Sequence, residues 1–244
     1  MNTVRTVAST KAAFLANYPR PINSVYRRAV EEILIDLHLV TVNERFAYNP
    51  FFALGLTTVY DTFMQGYAPL AEVPTIFIAL CKALQLKPDI VRKDADMLVE
   101  LLRSGDRQQH IGLFQLEDGS SDVGGLKGIL TGIRDNKDFY YSRTFAIGLY
   151  SAYEMFAPED EEKAKLEAFK GIATNLNLPT DRVHKDLELY RKMTEKMQMA
   201  QEALAEAAAA ARSQKERRAA AAANASNSST ETDAPVESES VTSD

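Results

Sequence analysis

Tryptophan is absent from the 244-residue chain, and cysteine occurs once. With no second thiol an internal disulfide is impossible, so packing alone must hold the fold, and the composition suits a reducing compartment. Cys81 lies in the apolar stretch Ile76-Phe77-Ile78-Ala79-Leu80-Cys81 and reads as a buried thiol without a redox role. Long apolar runs are missing too. Those around Phe51 to Leu56 and Ile76 to Cys81 fall far short of the roughly 18 residues that cross a bilayer. The opening Met1-Asn2-Thr3-Val4-Arg5-Thr6 has neither the apolar core of a secretory signal nor the length of a transit peptide, so the chain is expected to act where it is made. Positive charge is not in excess. A formal net charge of −6 works against broad attraction to nucleic acid, and no nucleic-acid partner is expected.

The motifs of catalysis and metal binding are also wanting. His38, His110 and His184 stand far apart, with no second histidine or cysteine at ligand spacing and no HExxH element, so no metal site is expected. There is no GxSxG turn, and Cys81 has no histidine near it in sequence, so no catalytic residues are assigned and no cofactor is implied. The stretch Leu116 to Gly128 is rich in turn formers and carries Gly119, Gly124, Gly125 and Gly128. Without a preceding strand or a phosphate-binding spacing, it reads as a mobile loop leading into a helix.

What is present is helix. Apolar residues make up 45% and charged residues 25% of the chain, enough for a sizeable core. After Pro21, Ile22, Val25, Tyr26, Ala29, Val30, Ile33, Leu34 and Leu37 recur at steps of three and four, which makes one wide apolar face. Asn49-Pro50, Pro74 and Pro88-Asp89 read as helix starts, and Phe139 to Phe156 and Asp160 to Leu176 as two more helices. From Pro179 a long helix carries the seam Val183, Leu187, Tyr190, Thr194, Met197, Gln201, Leu204 and Ala208. That seam either packs on its own domain or seeks another helix. The chain therefore reads as all-α. A multi-helix bundle spans 1–178, a long C-terminal helix with coiled-coil tendency spans 179–212, and a low-complexity, disordered tail spans 213–244.

Two patterns bear on organisation and partners. Phe52-Ala53-Leu54-Gly55-Leu56, Tyr67-Ala68-Pro69, then Leu84, Leu86, Asp89, Val91, Lys93 and Asp94 are echoed in order. The echo is Phe145-Ala146-Ile147-Gly148-Leu149, Phe156-Ala157-Pro158, then Leu176, Leu178, Asp181, Val183, Lys185 and Asp186. This is the pattern of a diverged duplication, set against chance similarity between amphipathic helices. Arg20, Arg27 and Arg28 cluster around Tyr26. They either pair with Glu31 and Glu32 along the helix or anchor an acidic partner. The candidate partner-binding residues are Arg20, Arg27, Arg28, Leu187, Tyr190, Met197 and Leu204.

The segment Arg20 to Leu39, RPINSVYRRAVEEILIDLHL, together with FALGL and Tyr60 to Tyr67, YDTFMQGY, resembles the thylakoid formation family, also called the photosystem II biogenesis family Psb twenty-nine. Phe139 to Tyr150, FYYSRTFAIGLY, and Asp181 to Arg191, DRVHKDLELYR, agree with it, and the match covers about Val7 to Gln201. The resemblance implies a helical, non-enzymatic accessory factor in thylakoid biogenesis and photosystem II repair. It implies association with membrane-anchored FtsH-type proteases from the cytoplasmic face of the thylakoid. Its start near Met1 implies a cyanobacterial member. The alternative reading is a pigment-binding protein, for which His38, His110 and His184 are the candidate axial ligands.

The apolar face after Pro21 gives a first test. Ile33→Asp or Leu37→Asp places an unpaired carboxylate in the core, at a cost of several kcal/mol against a typical total stability of roughly 5–15 kcal/mol. Each variant is expected to lose its cooperative melt by circular dichroism. A parent-like melt would remove that face from the core.

Overall fold

The computed structural model describes residues 5–157 and 161–228. Among them are ten α-helices, one 3-10 turn and no strand, so the fold is all-α. The helices are α1 (Val7–Asn17), α2 (Ser24–Thr41), α3 (Pro50–Phe63), α4 (Val73–Ala83), α5 (Pro88–Ser104), α6 (Arg107–Phe114), α7 (Leu126–Asp135), α8 (Arg143–Glu154), α9 (Glu162–Asn175) and α10 (Thr180–Ser228). Two compact units divide the chain, Met1–Gln198 and Met199–Asp244. In the second, α10 runs beyond 212 to Ser228 through the exposed alanine run Ala207 to Ala211, where high helix propensity sustains it. Residues 229–244, most of the acidic tail, lie outside the described residues, as do Pro158 and Asp160.

Helix starts follow local chemistry. Asn49 caps α3 by accepting from the Phe52 amide at 3.0 Å, with Pro50 in the first turn. Ser142 caps α8 by accepting from the Phe145 amide at 3.2 Å, so this helix starts later than the Phe139 read from periodicity. The glycine-rich stretch is a helix-entry loop: Gly125 takes φ +83° immediately before Leu126. At Gly124, with φ +59°, a Cβ would come within 2.6 Å of Leu101. The sequence reading missed α1, α6 and α7, although the last carries Leu126, Ile129, Leu130 and Ile133 at helical spacing. The first begins with a Thr6/Ser9 capping box and the second with Asp106 accepting from Gln109.

The core centres on the crossing of α3 and α8. A Cβ on Gly55 would lie 1.8 Å from the Thr144 carbonyl oxygen, and one on Gly148 would lie 1.8 Å from that of Phe51. Each oxygen belongs to the residue one helical turn before the opposite glycine. The two backbones are therefore in direct contact, and a local twofold relates them.

That twofold extends through the unit. Asn43 Oδ1 accepts from the Arg45 amide at 2.9 Å, and Asn136 Oδ1 from the Asp138 amide at 2.9 Å. The Phe46 and Phe52 rings lie 4.9 Å apart edge to face, and Phe139 and Phe145 lie 5.0 Å apart in the same way. Tyr48 donates to Asp94 Oδ2 at 2.8 Å and Tyr141 to Asp186 Oδ2 at 2.9 Å. Tyr60 packs on Phe77 as Tyr153 packs on Phe169. Gln85 and Asn177 both take positive φ at a helix end, and the Leu86 and Leu178 amides reach back to Cys81 and Ala173 at 2.9 Å. Helices α2 to α5 are thus matched one for one by α7 to α10, and the echo in the sequence is an internal duplication.

The shared glycine contact sets an expectation. Gly55→Ala and Gly148→Ala should each cost about 1–3 kcal/mol or more in urea unfolding, because neither backbone oxygen can move aside without parting the helices. The double variant should lose less than the sum, since helices already forced apart accept the second methyl cheaply. Strict additivity would mean that the two glycines do not share one contact.

Candidate functional site

Four helices leave an open hollow of about 520 Å³ in the first unit. Its walls come from α2 (Ile33, Leu37, Leu39), α3 (Val59, Phe63), α8 (Thr144, Ile147) and α10 (Leu189, Tyr190, Met193). Leu39 and Leu189 are 56% and 43% exposed, so apolar side chains remain uncovered at the rim. Tyr190 tilts against Phe63 at 6.4 Å. The earlier seam residues, Val183 and Leu187, are buried in the core.

One polar pair sits among these apolar walls. Arg143 Nη2 lies 3.3 Å from Asp36 Oδ1, and Nη1 reaches Met193 Sδ at 3.8 Å. The Arg143 Nε is buried and has no acceptor among the described residues. Burial raises the Asp36 carboxyl above its ordinary range; Asp186 pushes the same way, and Arg143 and Arg182 oppose. An arginine in the first turn of a helix faces the positive end of the dipole, so Arg143 is held there by Asp36 rather than by α8.

The sequence candidates do not converge on one place. Arg20 and Arg27 border a separate hollow of about 230 Å³ between α1 and α2. Arg20 pairs with Glu72 at 3.1 Å. The Glu72 carboxylate also accepts from Tyr18 and Tyr67, and the bond from Tyr18 contributes most to holding it below its usual range. Arg27 and Arg28 are exposed, and neither pairs with a carboxylate among the described residues, Glu31 and Glu32 included. Of the seam residues, Tyr190 lines the groove, Leu187 is buried in the core, and Met197 is half-buried. Leu204 is half-buried in the second unit. Sequence reasoning missed Asp36 and Arg143, although an aspartate inside the apolar run Ile35-Asp36-Leu37 was a usable signal.

The histidines are placed by packing. Thr10 Oγ1 and His38 Nδ1 lie 2.9 Å apart in the core. His110 is fully buried and stacked on Phe156 at 5.4 Å, with no hydrogen-bond partner for either ring nitrogen among the described residues. His184 lies 3.9 Å from Glu188 on the surface of α10. No group of three or more histidine, cysteine or carboxylate side chains among the described residues could hold a metal ion. Burial pushes the Cys81 thiol up to about 12, far from a reactive thiolate.

The family model for thylakoid formation proteins matches residues 6–219. The chain belongs to that family. It is similar to Protein Thf1 of Synechococcus sp. (strain JA-2-3B'a(2-13)), 49% identical over 209 residues that cover 84% of this chain and 87% of the relative. Protein Thf1 of Nostoc punctiforme is 41% identical, covering 84% of this chain and 88% of that one. A solved structure of Psb29 superposes with a TM-score of 0.74 at 36% identity, covering 88% of this chain and 99% of its own. These relatives are cyanobacterial where an organism is known, and the family carries the name of thylakoid formation. No helix among the described residues is long and apolar enough to cross a membrane.

Buried neutral histidines make stability depend on pH. Burial lowers the pKa of His110 below its ordinary 6.5, with Asp106 opposing, and burial and Arg5 both lower that of His38. The unfolded chain takes up these protons first. Stability is therefore full above about pH 6.5 and falls as the pH drops further. His110→Phe keeps the ring stacked on Phe156 and removes one titration. Its melting temperature should decline less steeply than the parent's between about pH 7 and 5, measured by calorimetry.

Proposed function

We propose that the chain is a non-enzymatic accessory factor of photosystem II biogenesis and repair. It binds and stabilises a membrane-anchored FtsH-type protease complex, sitting peripherally on the cytoplasmic face of the thylakoid. The observation that carries this reading is the open apolar groove along α10. Leu39, Leu189 and Val59 present a surface that water solvates poorly, at the point where a helix of another protein would fit. Membership of a family named for thylakoid formation supports the setting. A chain whose described residues hold no spanning helix gains the membrane most simply through an anchored partner. The exposed Arg27 and Arg28 supply cations for an acidic rim on that partner.

The reading is tested by co-purification from thylakoid membranes. Tagged full-length chain should bring down the protease complex. Truncation after Lys192 removes Met193 and Lys196 from the groove wall but keeps Val183, Leu187 and Tyr190. It should leave a folded protein with near-normal helicity per residue and weaken the association about tenfold or more. Deleting Asn224 to Asp244 should change little, because a short acidic tail adds mainly screened charge. Failure of the full-length chain to retain the complex would refute the proposal.

A further inference from the structure

The local twofold maps the open groove onto a place that is already filled. Phe63 and Thr144, on opposite walls of the groove, correspond to Phe156 and Phe51 in the other half. Those two rings clasp Phe114 of α6, at 4.8 Å from Phe156 and 5.9 Å from Phe51. Leu113 and Phe114 are fully buried there, and His110 stacks on Phe156 beside them. The groove walls Leu189 and Met193 correspond to Met97 and Leu101, and Leu101 packs at Gly124 in the loop that follows α6.

The two halves differ in what the chain does next. Helix α5 stops at Ser104, and Gly105 leaves room for the His110 ring, which a Cβ would strike at 2.1 Å. The chain can therefore double back as α6 across its own groove. The corresponding helix, α10, meets Met197 at the equivalent position and continues. No described element of the first unit returns to cover the first half.

We propose that this groove receives, from a partner protein, a short amphipathic helix in the place that α6 holds in the other half. Its anchors are an aliphatic residue followed by an aromatic one, as in Leu113-Phe114, with the aromatic ring entering between Phe63 and Thr144. A second observation adds an acceptor to that helix. Arg143 and Asp36 replace the apolar counterparts Pro50 and Ile129, and the buried Arg143 Nε has no acceptor among the described residues. The side chain as a whole is 29% exposed, so its Nη hydrogens can donate to a terminal carbonyl or a carboxylate of the incoming helix. A second copy of this chain cannot supply the helix intact, because its own Leu113 and Phe114 are buried in its own core. The inference rests on the reading of the chain as a partner-holding protein and names the ligand class of that surface.

The probe is a fluorescein-labelled synthetic peptide with the sequence of residues 106–116, titrated with the full chain and followed by anisotropy. Saturable binding is expected. It should weaken about tenfold or more when the peptide's phenylalanine is replaced by alanine, and likewise in the protein variants Val59→Glu and Met193→Glu, whose counterparts Ala152 and Leu101 are not exposed in the filled half. Both side chains are half-buried and face the open hollow, so circular dichroism should show an unchanged fold. The proposal is overturned if binding is absent, if it tolerates loss of the phenylalanine, or if it is indifferent to both groove variants. It is equally overturned if sedimentation shows a dimer of the full chain that Leu39→Glu dissolves, since the groove would then belong to a second copy. Peptide binding that persists while the protease fails to co-purify would sink the proposed partner and leave this inference standing.

Discussion

Everything in the first unit is arranged around two glycines that touch. With a side chain on neither Gly55 nor Gly148, α3 and α8 approach until each backbone meets the carbonyl of the other one turn upstream. That distance sets how far apart the remaining helices can lie. Phe51 and Phe145 close over the crossing at 6.2 Å, edge to face, and their neighbours fill the space outward from it. A core organised by a close backbone crossing has little freedom to rearrange, since a methylene added at the centre moves every layer around it.

Around that crossing the repeated half-site is specified by small polar devices as much as by apolar burial. The asparagine turns at Asn43 and Asn136, the caps at Asn49 and Ser142, and the tyrosine–aspartate bonds at Tyr48 and Tyr141 fix where each helix begins and which neighbour it faces. Apolar residues at these positions could be buried equally well, but they would not choose among registers. The conjunction explains how two segments that have drifted apart in sequence keep the same geometry.

The amphipathic face of α2, the proline starts of α3 and α5 and the buried upper seam of α10 were legible because each depends on a local pattern. The echo between FALGL and FAIGL was legible too, and it pointed to the two residues on which the packing turns. The groove was not. Leu39, Val59, Ile147 and Leu189 come from four helices, and each taken alone resembles an ordinary core position. Only the crossing angle imposed by the glycines decides that these residues face a hollow. Helix α6 was missed for a related reason, since its eight residues have too few turns to show a period, whereas α7 carries Leu126, Ile129, Leu130 and Ile133 at helical spacing and could have been read.

Duplication usually yields surfaces in pairs, and here one member of the pair has been spent. With α6 lodged in one of two equivalent positions, the described residues leave one open hollow of this shape. On the proposed reading, the chain's valency at that surface is one. A protein with both positions vacant could bridge two identical ligands and gather them into a network. On that same reading this chain would, through this surface, hold one assembly and not join it to another.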